Sequence, residues 1–234
     1  MHRRLFALVI AAAWIAPLAA DAADWPAKPV RVLVPYAPGG GTDVFSRLLA
    51  SQIERELGQT VVIDNRAGGA SVIGTQAVAT AQPDGYTIGM VDSAFVTNPG
   101  LLKDKLPYDT RKDFVPVSLL SRTQLVLCVH PSSPFKTAKE LVDHAKTNPG
   151  KLTFASAGIG TGIHLAGEQF RQVAGIGIVI IPYRGGAPAL SDFLSGKIDF
   201  TFGAVPTIKP HIEGGKGSTS KVVHFKVRPN PLAD

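Results

Sequence analysis

Apolar positions along this chain alternate between two rhythms. Val30-Arg-Val-Leu-Val34 is an apolar run broken only by Arg31, the signature of one buried strand. Phe45, Leu48, Leu49, Ile53 and Leu57 then recur at three- and four-residue spacing, which predicts a helix over Asp43 to Leu57 that stops at Gly58. Val61-Val-Ile63 predicts a second strand. Ala70 to Thr80 predicts a helix of small residues, and Pro83-Asp-Gly-Tyr86 a turn. Thr87 to Val91 predicts a third strand. Strand, helix, strand, helix, strand calls for a parallel sheet with right-handed crossovers.

A second unit of the same kind begins near Gln124. Gln124 to Val129 reads as a buried strand. Thr137-Ala-Lys-Glu140 is a capping box that opens a helix through Ala145, closed by Asn148-Pro-Gly150. Lys151 to Ala155 is a strand, Ser156 to Gly162 a glycine-rich loop, and His164 to Val173 a helix with Gly175 behind it. A strand over Ile178 to Ile181, a helix starting at Pro188 and running to Leu194, and a strand over Lys197 to Phe202 follow. Residues 217–234 are poorly specified, with Val222 to Val227 as one edge strand. The expected organisation is residues 23–123 as a first α/β domain, 124–216 as a second, and 217–234 as a divergent tail.

Residues 1–22 read differently. Met1-His-Arg-Arg4 is a positive start, Leu5 to Ala20 is apolar, and Ala20-Asp-Ala22 has the small-x-small form of a cleavage site. A secretory signal peptide is expected, with a mature chain starting near Ala23 in the periplasm. The apolar run is short for a membrane span, which needs about 20 residues.

Composition narrows the function. Hydrophobic residues make up 45% of the 234 residues and charged ones 18%, a globular balance that excludes a disordered chain. The net charge is +6, but the basic residues are scattered, whereas nucleic-acid binding needs a clustered stripe. The single cysteine, Cys128, lies in an apolar strand; it excludes an intrachain disulfide and reads as a core thiol. No His-x-x-x-His metal pair, no Gly-x-Ser-x-Gly elbow and no Gly-Lys-Ser/Thr phosphate loop occurs. No cofactor, metal or nucleic-acid partner is therefore expected.

Two segments share one physical design. Val34-Pro-Tyr-Ala-Pro-Gly-Gly-Gly-Thr-Asp43 and Phe154-Ala-Ser-Ala-Gly-Ile-Gly-Thr-Gly-Ile-His164 each run from a strand through small residues to a helix start. Small residues let backbone N–H groups approach a ligand, and a helix N-terminus adds partial positive charge. Ligands of open α/β sheets sit beyond the carboxyl ends of the strands. Each loop is a candidate cradle for one anionic group; alone, each is equally a tight strand-to-helix turn. Thr42 is a cap or a ligand donor, Asp43 a helix cap or first-turn charge, and His164 a partner of its own loop ahead of a ligating or catalytic group. Arg66 and Arg184, each beside a turn, are solvated charges or draw an anion inward.

Pro35-Tyr-Ala-Pro-Gly-Gly-Gly-Thr-Asp43, Val61-Val-Ile-Asp-Asn-Arg-Ala-Gly-Gly69, Ala81-Gln-Pro-Asp-Gly-Tyr-Thr87, Asn98-Pro99, Ala155-Ser-Ala-Gly158 and Pro182-Tyr183 stand in an order that resembles the Bug family, the TctC-like substrate receptors of tripartite tricarboxylate transporters. The resemblance covers about residues 25–216. It implies a two-domain periplasmic binding-protein fold with a ligand cleft between domains, a monomeric receptor for a small carboxylate, and delivery to a membrane permease. It places ligand contacts on Pro38, Gly40, Gly41, Thr42, Asp43, Ser156, Ala157, Gly158, Thr161 and His164, with Ser93 added at a strand end. After Gly214-Gly-Lys216 the family pattern calls for a strand and a long return to the first domain. The tail here departs from it, so the first domain is expected to be incomplete and the chain aggregation-prone. The competing reading is an exported α/β hydrolase or lyase working in the same cleft. A binding partner of a membrane sensor would use the same chemistry.

Overall fold

The computed structural model describes residues 25–213 and the strand backbone of 221–223. The leader expected over 1–22 and most of the 217–234 tail lie outside the described residues.

Strand β1 (Val30–Val34) leads into helix α1 (Gly41–Leu57), then β2 (Val61–Asn65), α2 (Val72–Ala79), β3 (Thr87–Gly89) and α3 (Ser93–Leu102). After one 3-10 turn (Lys103–Lys105) and a long stretch without regular structure come β4 (Leu125–Val129), α4 (Ala138–Thr147), β5 (Thr153–Ser156), α5 (Gly162–Ala174), β6 (Val179–Pro182), α6 (Gly186–Leu194), β7 (Phe200–Ala204), α7 (Val205–Glu213) and β8 (Lys221–Val223). The strands form two sheets. The first is parallel, with order β2-β1-β3, so its central strand Val30–Val34 is the apolar one, as burial on both faces demands. The second has order β6-β5-β7-β4-β8; β5 runs parallel to β6 and β7, while β4 runs antiparallel to β7 and β8. Of the edge strand expected over Val222 to Val227, the part described is Lys221–Val223, and residues 224–227 lie outside the described residues.

Three aromatics make the core of the second sheet. Phe154 and Phe200 are fully buried with ring centres 5.2 Å apart, and Phe170 stands edge-on to Phe200 at 6.0 Å. Leu127, Leu141 and Ala145 close around them. The first sheet has a smaller core of Val32, Val34, Tyr36, Ala50 and Val61.

The helix ends follow local chemistry. Gly58 and Gly175 terminate α1 and α5 in the left-handed conformation, at φ 65° and 62°. Thr137 caps α4, its hydroxyl accepting the Glu140 N–H at 3.2 Å, and the Glu140 carboxylate accepts the Lys136 N–H at 2.6 Å.

Two helices were not predicted. Helix α3 carries Pro99 and Gly100, which read as breakers, yet Asp92 caps it by accepting the Ala94 N–H at 2.9 Å. Helix α7 carries Pro210 inside and is anchored by Ile208, 2% exposed. In both, tertiary contacts outweigh the lost backbone hydrogen bond. Helix α2 starts at Val72 instead of Ala70, because Ala70 and Ser71 are left-handed, at φ 56° and 71°. Val115, Val117 and Leu119 form an exposed apolar row of period two in the segment before β4.

Candidate functional site

The first glycine loop is held by Asp43. Its carboxylate, 2% exposed, accepts the Gly39 N–H at 2.8 Å, the Arg47 Nε at 3.0 Å and the Asn65 Nδ2 at 2.9 Å. Asn65 Nδ2 also lies 3.1 Å from the Tyr36 carbonyl, tying the end of β2 to the end of β1. Burial works to raise the Asp43 carboxyl; the bonds from Arg47, Gly39 and Asn65 outweigh it and hold the group below the usual carboxylate range. Asp43 therefore spends its charge inside the protein. Thr42 gives its carbonyl to the Ser46 hydroxyl at 2.7 Å. Pro38 and Gly41 are exposed and Gly40 is buried. The loop abuts the second sheet's layer: the Ala37 N–H donates to the Arg184 carbonyl at 3.3 Å, and a Cβ on Gly40 would sit 3.4 Å from the Gly186 nitrogen.

The second loop is also held from within. The Ser156 hydroxyl, fully buried, donates to the Gly158 carbonyl at 3.2 Å and accepts the Gly158 N–H at 3.3 Å. Thr161 donates to the same carbonyl at 2.7 Å and accepts the His164 N–H at 3.3 Å. His164 Nδ1 faces the Gly160 N–H at 3.4 Å, so the imidazole partners its own loop. Helix α3 reaches across to this loop. Thr97 donates to the Gly160 carbonyl at 2.8 Å, and a Cβ on Gly160, whose φ is +79°, would come within 2.8 Å of Asn98 Oδ1. Ser93 Oγ stands 3.4 Å from where a Cβ on Gly162 would be.

Between the two sheets lies a pocket of about 120 Å³. Its walls are four strand-to-helix loops: Pro35 and Tyr36 after β1, Gly68 to Ser71 after β2, Ala157 to Ile159 after β5, and Pro182 to Arg184 at the end of β6. All four lie at the carboxyl ends of parallel strands, where ligands of α/β sheets bind. Of the eleven residues singled out from the sequence, Ala157 and Gly158 line this pocket. Pro38, Gly40, Gly41, Thr42 and Asp43 shape the first loop, Ser156, Thr161 and His164 the second, and Ser93 the helix facing it.

Tyr36, Ser71, Ile159 and Tyr183 line the pocket and were not predicted; Arg184 was noted only as a charge beside a turn. A signal for them existed. Arg66-Ala-Gly-Gly69 and Arg184-Gly-Gly186 are further glycine joints between a strand and a helix. The loop after β2 is strained: left-handed backbone at Ala70 and Ser71 costs on the order of 1–3 kcal/mol each. Asn98 offsets part of this cost. Fully buried, it donates from Nδ2 to the Ala70 carbonyl at 2.8 Å and approaches Ser71 Oγ at 3.4 Å. Gly74 brings α2 close, since a Cβ there would fall 2.6 Å from Pro35 Cα and 2.8 Å from the Arg66 carbonyl.

One buried pair sits beside the pocket. The Tyr36 hydroxyl donates to Asp92 Oδ1 at 2.5 Å. Burial, then the Asp92 charge, push the Tyr36 hydroxyl far above its ordinary value. Burial also raises the Asp92 carboxyl, against the bonds from Tyr36 and Ala94. Among the described residues no group of three or more His, Cys, Asp or Glu side chains is placed to hold a metal ion. No described helix is long and apolar enough to cross a membrane.

The sequence model of the tripartite tricarboxylate transporter family receptor matches residues 45–226. The chain is 38% identical over 188 residues to the UPF0065 protein in the tcbD-tcbE intergenic region of Pseudomonas sp. (strain P51), covering 80% of this chain and 56% of that protein. It is 38% identical over 237 residues to protein BugT of Bordetella pertussis, covering 97% of this chain and 72% of BugT. The chain thus spans between about half and three quarters of the length of these relatives. Among solved structures, one described as a periplasmic transporter superposes with a TM-score of 0.81 at 38% identity, covering 87% of this chain and 68% of that one. Rpa4515 of R. palustris, solved with adipate, gives 0.77 at 32% identity over 86% of this chain and 66% of its own. MatC of Rhodopseudomonas palustris, solved with bound malate, gives 0.77 at 28% identity over 87% and 69%. The two-sheet α/β architecture is that of the periplasmic binding proteins, and the chain belongs to the tripartite tricarboxylate transporter receptor family.

Proposed function

We propose that the protein is a periplasmic solute-binding receptor that captures a small carboxylate and presents it to the membrane permease of a tripartite tricarboxylate-type system. The observation that carries this reading is the pocket between the sheets, walled by four loops at the carboxyl ends of parallel strands. Two of those loops come from the first sheet's layer and two from the second's, so residues 23–123 and 124–216 act as two domains that close on one ligand. Ala157, Gly158, Tyr36, Ser71 and Arg184 contact the ligand. Asp43, Ser156, Thr161 and His164 act one step back, by fixing loop shape. The carboxylates in Rpa4515 and MatC support the ligand class. Residues 1–22 serve as a cleaved leader.

A hydrolase in this cleft needs a hydroxyl activated by a neighbouring base. The Ser156 hydroxyl is instead closed on Gly158, and His164 Nδ1 on the Gly160 amide, which favours binding without turnover. The test is calorimetry of the mature chain against hexanoate, adipate, malate and citrate, with release of product from the matching methyl esters measured in parallel. Saturable binding of at least one acid without ester cleavage is expected. Ester turnover that Ser156→Ala abolishes would replace the receptor by the enzyme.

A further inference from the structure

Residues 25–123 and 124–213 meet through backbone more than through side chains. A Cβ on Gly40 would lie 3.4 Å from the Gly186 nitrogen, one on Gly41 3.3 Å from Thr207 Oγ1, and one on Gly185 3.2 Å from the Ala37 nitrogen. Glycine against glycine brings two loops close but covers little apolar area. Among the described residues two hydrogen bonds span this boundary. The Ala37 N–H donates to the Arg184 carbonyl at 3.3 Å, and the Thr97 hydroxyl donates to the Gly160 carbonyl at 2.8 Å. A boundary so thinly held favours relative motion of its two sides.

Two neighbours on α3 face Gly160 and pull in opposite directions. The Thr97 hydroxyl has two acceptors within reach: the Gly160 carbonyl across the boundary, and the Ala94 carbonyl of its own helix at 3.4 Å. The second is the local bond that threonine commonly makes inside a helix. Asn98 Oδ1 is buried without a partner and stands 2.8 Å from where a Cβ on Gly160 would be. A buried acceptor left unpaired is costly, so Asn98 Oδ1 disfavours the contact that the Thr97 hydroxyl favours. Neither side chain lines the pocket, yet Gly160 belongs to the loop whose Ala157, Gly158 and Ile159 do.

Resting on the receptor reading above, we propose that Thr97 is the latch of the closed receptor: its hydroxyl holds the second glycine loop against α3 while solute is bound, without touching the solute. When the loop parts from α3, the hydroxyl turns to the Ala94 carbonyl and water reaches Asn98 Oδ1, so the open form leaves neither group unpaired. The latch is weak by construction. One neutral hydrogen bond shifts an equilibrium about two- to tenfold, which holds the loop and still lets it release its solute. Thr97 is thus a positioning residue, acting on the pocket through the loop that carries Ala157, Gly158 and Ile159.

The experiment titrates the mature chain, Thr97→Val and Thr97→Ser with hexanoate, adipate, malate and citrate in a calorimeter. Thr97→Val keeps the side-chain shape and removes the hydroxyl. The acid that the parent binds tightest should bind this variant about three- to tenfold more weakly, and Thr97→Ser should return to within about twofold of the parent. Small-angle scattering at saturating acid should give Thr97→Val a larger radius of gyration than the parent. Thermal melts without acid should agree to within about 2 °C, because the latch bond is absent from the open form. Thr97→Ala repeats the test with a smaller side chain. Affinity of Thr97→Val within about twofold of the parent, an equal loss in Thr97→Ser, or equal radii of gyration overturns the latch and leaves the receptor standing. An acid-free melt lowered by more than about 5 °C in both the Val and Ala variants makes Thr97 a structural residue and overturns the latch as well. Failure of every acid to bind the parent overturns the receptor reading itself, and this inference with it.

Discussion

Replacing Asp43 by Ala tests whether this residue serves the ligand or the loop. In the parent its carboxylate holds four donors: Gly39 N, Arg47 Nε, Arg47 Nη2 and Asn65 Nδ2, all within 2.8 to 3.0 Å. The Arg47 side chain is 52% exposed, so it turns to water and its share is small. Asn65 and Gly39 lose an ionised acceptor, and hydrogen bonds to charged groups are worth about 1.5–3 kcal/mol. Allowing for partial rescue of the Gly39 amide by water, the loss should be about 3 kcal/mol. For a chain of this size that is a fall of roughly 6–12 °C in melting temperature. Urea unfolding gives the free energy directly. The pH dependence provides a second handle. The folded carboxyl lies below its unfolded value, so its stabilisation is complete above about pH 4 and fades as pH falls through the folded value. The gap between parent and variant should shrink in acid. Adipate affinity should fall through disorder of the first loop, and the conservative Asp43→Asn, which keeps one acceptor, should recover part of both losses. A stability change under about 1 kcal/mol, with affinity lost equally in Ala and Asn variants, would refute the loop-holding role and return Asp43 to the ligand.

Cys128 is fully buried and its thiol is pushed up to about 12 by burial, so it should resist a thiol reagent at pH 8 in native buffer and react at once in urea. Asp92 works in the opposite sense to Asp43: burial raises its folded carboxyl, so it favours the fold below about pH 4 and that contribution is lost as pH rises through the raised value. Asp92→Asn, which still caps α3, should flatten that loss in a series of urea melts, and an unchanged pH profile would count against it. Gly160→Ala should cost about 1–3 kcal/mol, since its backbone is left-handed and the new Cβ would meet Asn98 Oδ1 at 2.8 Å. Acid binding should weaken with it, read by calorimetry.

Local chemistry determined much of this protein before any fold was known. The apolar run Val30–Val34, the spaced Phe45 to Leu57 face, the Thr137 capping box and the glycines after α1 and α5 each act within one turn of chain, so the pattern alone places them. The same holds for the two glycine loops, whose small residues are visible as sequence. Tertiary structure decided the rest. Helices α3 and α7 exist despite their prolines because contacts from distant segments outweigh local preference, such as Asn98 bonding Ala70 across 28 positions. It also decided which polar groups are free. The resemblance places ligand contacts on Asp43, Ser156, Thr161 and His164, and the fold turns the hydrogen bonds of all four toward their own loops. Tyr36, Ser71, Ile159 and Arg184 look ordinary, yet four separate loops bring them to one pocket. A residue type states what hydrogen bonds and contacts a side chain can make, and only the packed chain states which of them are already taken.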